Sequence, residues 1–521
     1  MSCHSQLTPR TQHHPNNMAI TAKRLAFSLV FLIIRLGGSS SHAFFVPPLD
    51  TSDGVASSSI ACQEPQQVDD ATVASESRPV LQVQLFESIL RDGEQGARRT
   101  LLPEQKGLIA RRLEKELGMT IIDAGFPAAS PLDFGGVQAV ASDTDRAVVS
   151  ALSYGTPSEI GVAAQALRRA RDRSRIATFH RPMEISSRYM TSGDGDNDGD
   201  MRIRQKLLRQ ARRAVEAASD LAPEVQYYLV YAGNRDPTFL AELAQTASFA
   251  GASHVVLADS QSSMTPTSAF HLTKRIKHAV SPETIVAAHF HNQMGLALPN
   301  TLASIRGGAT QVESCLLGVG DAGGNLATEQ FLAYCNHCRN MMGRRPSEEE
   351  DDELFPLCST SNGCPLPASV SLAEDVARMI DFCIGENQPI VGERVFTCTT
   401  GIHQDNFQHL GHTSFAPDMA GRSWRIALNR HSSRKSVRVL VREHLQQDRS
   451  SGDIDVVHEE GLVDAAYSYL SHQLGEVDST AIIVYCDTIL KAYSALRNDG
   501  VVICPTTVGY TLVSTKDGAK R

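Results

Sequence analysis

Between residues 80 and 340 the chain keeps changing period, from short apolar runs of strand length to longer stretches with apolar residues at helical spacing. The runs Val83–Leu90, Thr120–Asp123, Val225–Tyr231, His254–Leu257, Thr284–His289 and Gln311–Leu317 read as strands. Pro103–Leu117, Glu159–Arg171 and residues 201–219, 238–249, 266–279 and 296–306 read as helices. A helix between two strands returns the chain to its starting edge, so the strands it joins run parallel. Repetition of this unit over roughly 260 residues predicts a closed (β/α)8 TIM barrel, since eight units of about 30 residues fill 80–340.

The whole chain has 521 residues, which leaves room for additions around such a barrel. Hydrophobic residues at 42% and charged residues at 21% exclude a disordered or fibrous protein. Lys plus Arg number 49 against 58 Asp plus Glu, a net charge of −9. No basic field is available for a phosphate backbone, so no nucleic-acid partner is expected. Eleven cysteines, odd in number and scattered, point to reduced thiols in a non-oxidising compartment.

Residues 1–43 read as a targeting segment. Lys23-Arg24 precedes Leu25–Ile34, which is apolar apart from Ser28. This run is too short for a ~30 Å hydrocarbon core, which needs roughly 20 residues. With Ser41-His42-Ala43 it fits a signal peptide cut after Ala43, leaving no stable membrane span after processing. Met18 is an alternative start. Ala43-Phe44-Phe45 resembles the junction of two-part plastid presequences, so a plastid destination is expected, with the secretory pathway as the alternative. Residues 44–79 are a linker or transit-like segment. After the barrel, 341–365 form an acidic linker around Glu348–Glu353 and 366–475 a smaller, mainly helical region. A short tail, 476–521, carries a helix candidate at 479–496 and a strand-like run at 501–514.

Two segments can carry chemistry. Leu90-Arg91-Asp92-Gly93-Glu94-Gln95 follows the first strand, and His289-Phe290-His291-Asn292 ends the seventh. Strand side chains alternate, so His289 and His291 share a side. At the C-terminal end of a barrel strand that side faces the active-site mouth. Two imidazoles and the Asp92 carboxylate suit a divalent metal with open positions for substrate. A His-X-His pair alone is commonly a surface or core pair. The Arg-Asp at strand one and the Gly-rich turn Gly318–Asn325 shift the reading to a metal site.

These runs resemble the DRE-TIM metallolyase family, among its Claisen-condensing synthases. The resemblance covers about residues 80–475. It rests on LRDGEQ (90–95), IIDAGFPAASPLDF (121–134), AHFHNQMGLALPN (288–300), GVGDAGGN (318–325), IVGERVF (390–396) and GIHQD (401–405). The second run looks most like its 2-isopropylmalate-forming branch. The resemblance implies that Asp92, His289 and His291 ligate the metal, with Asn325 at or near it. The metal would be Mn2+ or Mg2+, with Zn2+ as an alternative. It implies that Arg91 polarises a 2-oxo acid carbonyl, that Gln95 and Asp123 line the acceptor pocket, and that Arg235 is the family's strand-five arginine. Gly320 belongs to a turn that lets the backbone approach substrate or CoA. His403 matches a histidine supplied to the mouth from the partner subunit, which implies a homodimer with shared active sites. The implied reaction condenses acetyl-CoA with a 2-oxo acid, 3-methyl-2-oxobutanoate first, and then hydrolyses the acyl-CoA adduct. A methyl proton must leave, and His403 or a nearby carboxylate could take it. Homocitrate or citramalate synthesis, a lyase, or a divergent low-activity paralogue are the alternatives.

The chain departs from the family pattern at Tyr231-Ala232, Gln293, Asp321-Ala322 and Phe415. Leucine regulation is not expected, because a full regulatory domain does not fit after 475. Three further patterns read as structural. Asp194–Gly199 imitates half an EF-hand loop without its Glu. Cys335-Asn336-His337-Cys338 is a lone CxxC. Gly318–Gly324 imitates a dinucleotide fingerprint without its acidic partner.

Overall fold

The computed structural model describes residues 80–179, 198–341, 356–360, 363–410, 415–447, 456–473, 475–477, 481–482, 484, 486–487, 501–506 and 509–514. The targeting segment, the residues 44–79, the EF-hand-like run before Asp198 and the acidic run Glu348–Glu353 lie outside them. Contacts divide the chain into two units. One contains Ala74–Cys398 and Leu410–Arg425, and the other contains Thr399–His409 and Ile426–Arg521.

The first unit holds the expected barrel. Its strands are β1 (Leu81–Glu87), β2 (Ile121–Gly125), β3 (Val148–Ser153), β4 (Ser174–Thr178), β5 (Glu224–Leu229), β6 (His254–Asp259), β7 (Ile285–Phe290) and β8 (Gln311–Ser314). They pair in parallel in that order, and β1 closes the ring against β8 with Gln84 opposite Gln311. A ninth strand, β9 (Cys358–Thr360), pairs with Leu81–Val83 at the start of β1. The helices are α1 (Pro103–Leu117), α2 (Pro131–Asp143), α3 (Pro157–Ala166), α4 (Asp198–Ser219), α5 (Pro237–Phe249), α6 (Pro266–Ala279), α7 (Ala297–Arg306), α8 (Thr328–Met341) and α9 (Leu366–Met379).

Helix starts are written into the sequence. Proline occupies the first position of α1, α2, α3, α5 and α6, where no N–H partner is lost and φ is already helical. Ser130, Thr156, Asp236 and Thr265 precede four of these prolines and accept a backbone N–H of the first turn. The helices pack Ile109, Leu113, Val140, Leu240 and Ile276 against the outer faces of strands such as Val83, Leu85, Val255 and Val286.

The barrel interior is partly polar. Arg175 on β4 is buried and forked onto Glu224 at 2.6 and 2.8 Å. It also donates to Gln226 and Gln311 and sits 3.1 Å from His254 Nε2. Burial, then the Arg175 charge, pushes His254 down to about 2, so it is neutral and accepts from Arg175. Gln226 passes the network up the barrel by donating to Glu313 at 2.9 Å.

The CxxC lies inside α8, and both of its cysteines are buried. Cys335 Sγ stands 3.8 Å from Cys358 Sγ on β9. α9 is tied to α1 by Arg112 and Asp375 at 2.7 Å.

The second unit is mainly helical, with α10 (Gly401–Leu410), α11 (Arg434–Gln447) and α12 (Val456–Ser471). Leu428, Val437, Val441, Leu462, Val463 and Leu470 form its core. The strand-like run at the end is an antiparallel pair, Val501–Thr506 with Gly509–Ser514. Of the helix expected over 479–496, most lies outside the described residues. No helix among the described residues is long and apolar enough to cross a membrane.

Candidate active site

After β1 the chain makes one helical turn, Ile89–Gly93, which carries Arg91 and Asp92 to the barrel mouth. The turn is packed so tightly that a Cβ on Gly93 would lie 2.6 Å from Cys315 Sγ. At the end of β7, Phe290 packs into the outer core, which leaves its neighbours His289 and His291 facing inward. Asp92, His289 and His291 are all buried, and one ligand atom from each lies within 4.8 Å of the others.

The neighbours of this triad fix its protons. His289 Nε2 is 3.3 Å from Asp92 Oδ2, and its Nδ1 is 3.1 Å from Glu313 Oε2 on β8. The Tyr228 hydroxyl donates to the same Glu313 carboxylate. Burial would lower His289, but the Glu313 hydrogen bond and the Asp92 charge raise it. His291 is lowered by burial and then by His289. Its Nδ1 lies 2.9 Å from the Asp321 carbonyl, so Nδ1 donates and Nε2 keeps its lone pair. For Asp92, burial is outweighed by Arg91, His289, His291 and Asn325, which hold the carboxyl below its ordinary value.

Asp92 Oδ2 and Asn325 Oδ1 are buried without hydrogen-bond partners, as is Asp123 Oδ1. A backbone bridge sets Asn325 beside His291. Orphaned oxygens next to two imidazoles are costly without a partner. One carboxylate, two imidazoles and an amide oxygen form a donor set that fits a divalent cation.

Arg91 donates from Nε to Asp123 Oδ2 at 2.5 Å, and its Nη1 is 3.4 Å from Asp92 Oδ1. Its guanidinium carbon sits 6.0 Å from the centre of the Tyr228 ring. Burial pushes Asp123 up to about 6 against the pull of Arg91. A cavity of about 550 Å³ opens above these groups. Its floor is Arg91, Asp92, His289 and His291; its wall includes Leu152, Tyr154, Phe179 and Val230. Tyr154 packs edge-on against Phe126 and Phe179, at 4.7 and 5.0 Å between ring centres.

The structure therefore brings Arg91, Asp92, Gln95, His289 and His291 to one cavity, with Asp123 behind Arg91. Gly320 and Asn325 meet in the Gly-rich turn, where a Cβ on Gly320 would overlap Asn325 Nδ2. Arg235, expected among the substrate-binding residues, is not in the lining of this cavity and lines a second concavity. After β5 the chain bends through Tyr231, which has φ 57, and one 3-10 turn, Ala232–Asn234. That bend leaves Tyr231 in the lining of the mouth and turns Arg235 away. His403 belongs to the second unit and is exposed on α10. The cluster in the barrel is built without it. Glu313 and Tyr228 were missed from the sequence, although a lone acid at an inward position of a buried strand is a readable signal.

A family model described as HMGL-like matches residues 82–344. The 2-isopropylmalate synthase of Syntrophus aciditrophicus is 29% identical over 374 residues, covering 71% of this chain and 66% of that protein. The 2-isopropylmalate synthase of Methylococcus capsulatus is 31% identical over 364 residues, covering 69% and 66%. The chain thus spans 66% of the length of these relatives, just under two thirds. Among solved structures, hydroxymethylglutaryl-CoA lyase from Pseudomonas aeruginosa aligns at 22% identity with a TM-score of 0.45, covering 59% of this chain and 95% of that one.

Proposed function

This chain belongs to the HMGL-like family, and on that premise we propose that it condenses acetyl-CoA with a 2-oxo acid, 3-methyl-2-oxobutanoate first, to give 2-isopropylmalate. The observation that carries the reading is the convergence of Asp92, His289 and His291 beside Arg91 at the barrel mouth. The names of the relatives in this family support the same reaction.

Asp92, His289, His291 and the Asn325 side chain would hold a divalent ion, Mn2+ or Mg2+. When bound, the ion supplies a Lewis acid for the keto oxygen and carboxylate of the 2-oxo acid. The rest falls to the protein. Arg91, held in orientation by Asp123, aims its remaining donors at the oxygen that gains charge on attack. Glu313 and Tyr228 keep His289 in one tautomer and one orientation. Leu152, Tyr154, Phe179 and Val230 offer an apolar wall to a branched acceptor side chain. The acetyl methyl proton needs a base. Asp321 is the one carboxylate in the described lining outside the metal cluster, and His403 is the alternative, delivered from a partner subunit of a homodimer. The presequence-like residues 1–43 support delivery to a plastid.

Release of free CoA, followed with a panel of 2-oxo acids, tests the reading. Turnover confined to 3-methyl-2-oxobutanoate supports it, and preference for 2-oxoglutarate or pyruvate moves the chain to a homocitrate or citramalate synthase. A second reading, a low-activity paralogue that binds metal, is favoured by Tyr231, a bulky left-handed residue in the lining. Metal binding without CoA release from any acceptor would establish it.

A further inference from the structure

The concavity that takes Arg235 has a volume of about 620 Å³ and runs between α5 and α6. It shares no lining residue with the barrel mouth. Its charge is one-sided: Arg235, Lys274, Arg275, His271 and His278 line it, and among the described residues no carboxylate does. The last four recur at spacings of three and four along α6, so they form a single exposed basic stripe. In a chain of net charge −9, this local excess of cations is not a reflection of composition.

Arg235 marks the floor. Its Nε and Nη2 are buried and have no hydrogen-bond partner among the described residues. The side chain is part-buried, and two of its guanidinium nitrogens are desolvated without a partner, which costs stability. The adjacent carboxylate cannot serve it. Asp236 Oδ1 accepts from the Thr238 backbone N–H at 2.9 Å, and Oδ2 accepts from Arg204 at 2.8 Å. Ser268, in the first turn of α6, also lines the groove, so the positive end of that helix adds to the field. Arg275 reaches across to Thr238 on α5 at 3.5 Å, which places its charge over the same opening.

We propose that this groove binds phosphate groups. A phosphate monoester or diphosphate matches the three permanent cations in charge, and its oxygens match the planar fork of Arg235. Two sources carry this chemistry. One is the phosphate-bearing end of the CoA cosubstrate, which rests on the proposed function; the other is a free phosphate compound bound on its own account. Either ligand supplies the counter-charge that Arg235 lacks.

The test uses the full chain, stripped of metal with a chelating resin, and calorimetric titration with pyrophosphate at low and high salt. One site per chain is expected, weakened by salt. Arg235→Met and the double change Lys274→Ala with Arg275→Ala should each lower pyrophosphate affinity at least tenfold, and Mn2+ affinity should not change. Arg235→Met carries a second signature. It removes two buried donors that lack partners, so the ligand-free Tm should rise while the Tm gain on adding pyrophosphate disappears. Titration with CoA separates the sources. A parallel loss of CoA affinity places the cosubstrate's phosphates in the groove, and intact CoA affinity assigns it to a separate phosphate ligand. Absence of pyrophosphate binding, or binding undiminished in both variants, overturns the site. A fall in the ligand-free Tm of Arg235→Met also overturns it, since Arg235 would then have a structural partner. Failure of CoA release would leave the pyrophosphate result standing.

Discussion

Glu313 Oε2 stands 3.1 Å from Nδ1 of His289, on the far side of the ring from Asp92. Glu313 is fully committed, since Tyr228 and Gln226 also donate to it. It orients the imidazole without reaching the cavity, as partners of metal-bound histidines do. Glu313→Ala should therefore weaken Mn2+ binding by roughly 10–100-fold. Glu313→Gln, which keeps the shape, should recover part of that loss. Calorimetry measures both, and equal affinity in wild type and Glu313→Ala would remove this residue from the site.

Removal of a direct ligand should be more severe. Asp92→Ala, His289→Ala and His291→Ala should each lose more than the roughly 100-fold ascribed to a supporting residue. The motivation is their mutual approach within 4.8 Å. Unchanged metal affinity in all three variants would sink the assignment.

His254 predicts an acid limb of stability. Its folded value, about 2, lies far below the ordinary 6.5 because of burial and then Arg175. The unfolded chain takes up a proton that the folded one refuses. Stability from this group is therefore whole above pH 6.5 and declines as pH falls toward 2, by about 1.4 kcal/mol per unit. The Tm of His254→Gln should change less between pH 7 and pH 5 than that of wild type. Equal slopes would show that His254 charges freely inside the barrel.

The proposed homodimer can be checked by mixing two inactive chains. Arg91→Ala and His403→Ala belong to different units of the chain. If His403 acts on the partner's barrel, a hybrid dimer contains one intact site, and part of the activity returns. Hybrids verified by mass spectrometry that stay inactive would confine His403 to its own subunit or to structure.

Six of the eight barrel strands were readable because their short runs are mainly apolar and are set off by helical stretches. β3 and β4 escaped. Ser150 and Ser153 interrupt β3, and Ser174 and Arg175 open β4, yet all four are buried. The Arg175 charge is satisfied by Glu224, Gln226, His254 and Gln311 from β5, β6 and β8, which local reading cannot supply. α2 escaped for a different reason: Gly135-Gly136 looks like a turn, whereas a Cβ at Gly136 would crowd Lys106 at 2.9 Å. The metal triad was legible from alternation on β7 and the turn after β1. That Arg235 lies outside the lining of the mouth was not legible, because the bend at Tyr231 sits in a left-handed conformation that its residue type does not announce.

The seam between β1 and β8 sets a timetable. Ser88 Oγ donates to the Ser314 carbonyl at 3.0 Å across a separation of 226 residues. At a synthesis rate of ~5–20 residues per second, the first strand waits on the order of ten to forty-five seconds for its partner. Through that interval its free edge can pair with other chains, so a chaperone has most to contribute before β8 emerges. Asp92 and the two histidines come from opposite sides of the same seam, beyond β1 and at the end of β7. The ion can be captured only late in synthesis, and its arrival would report that the ring is almost closed.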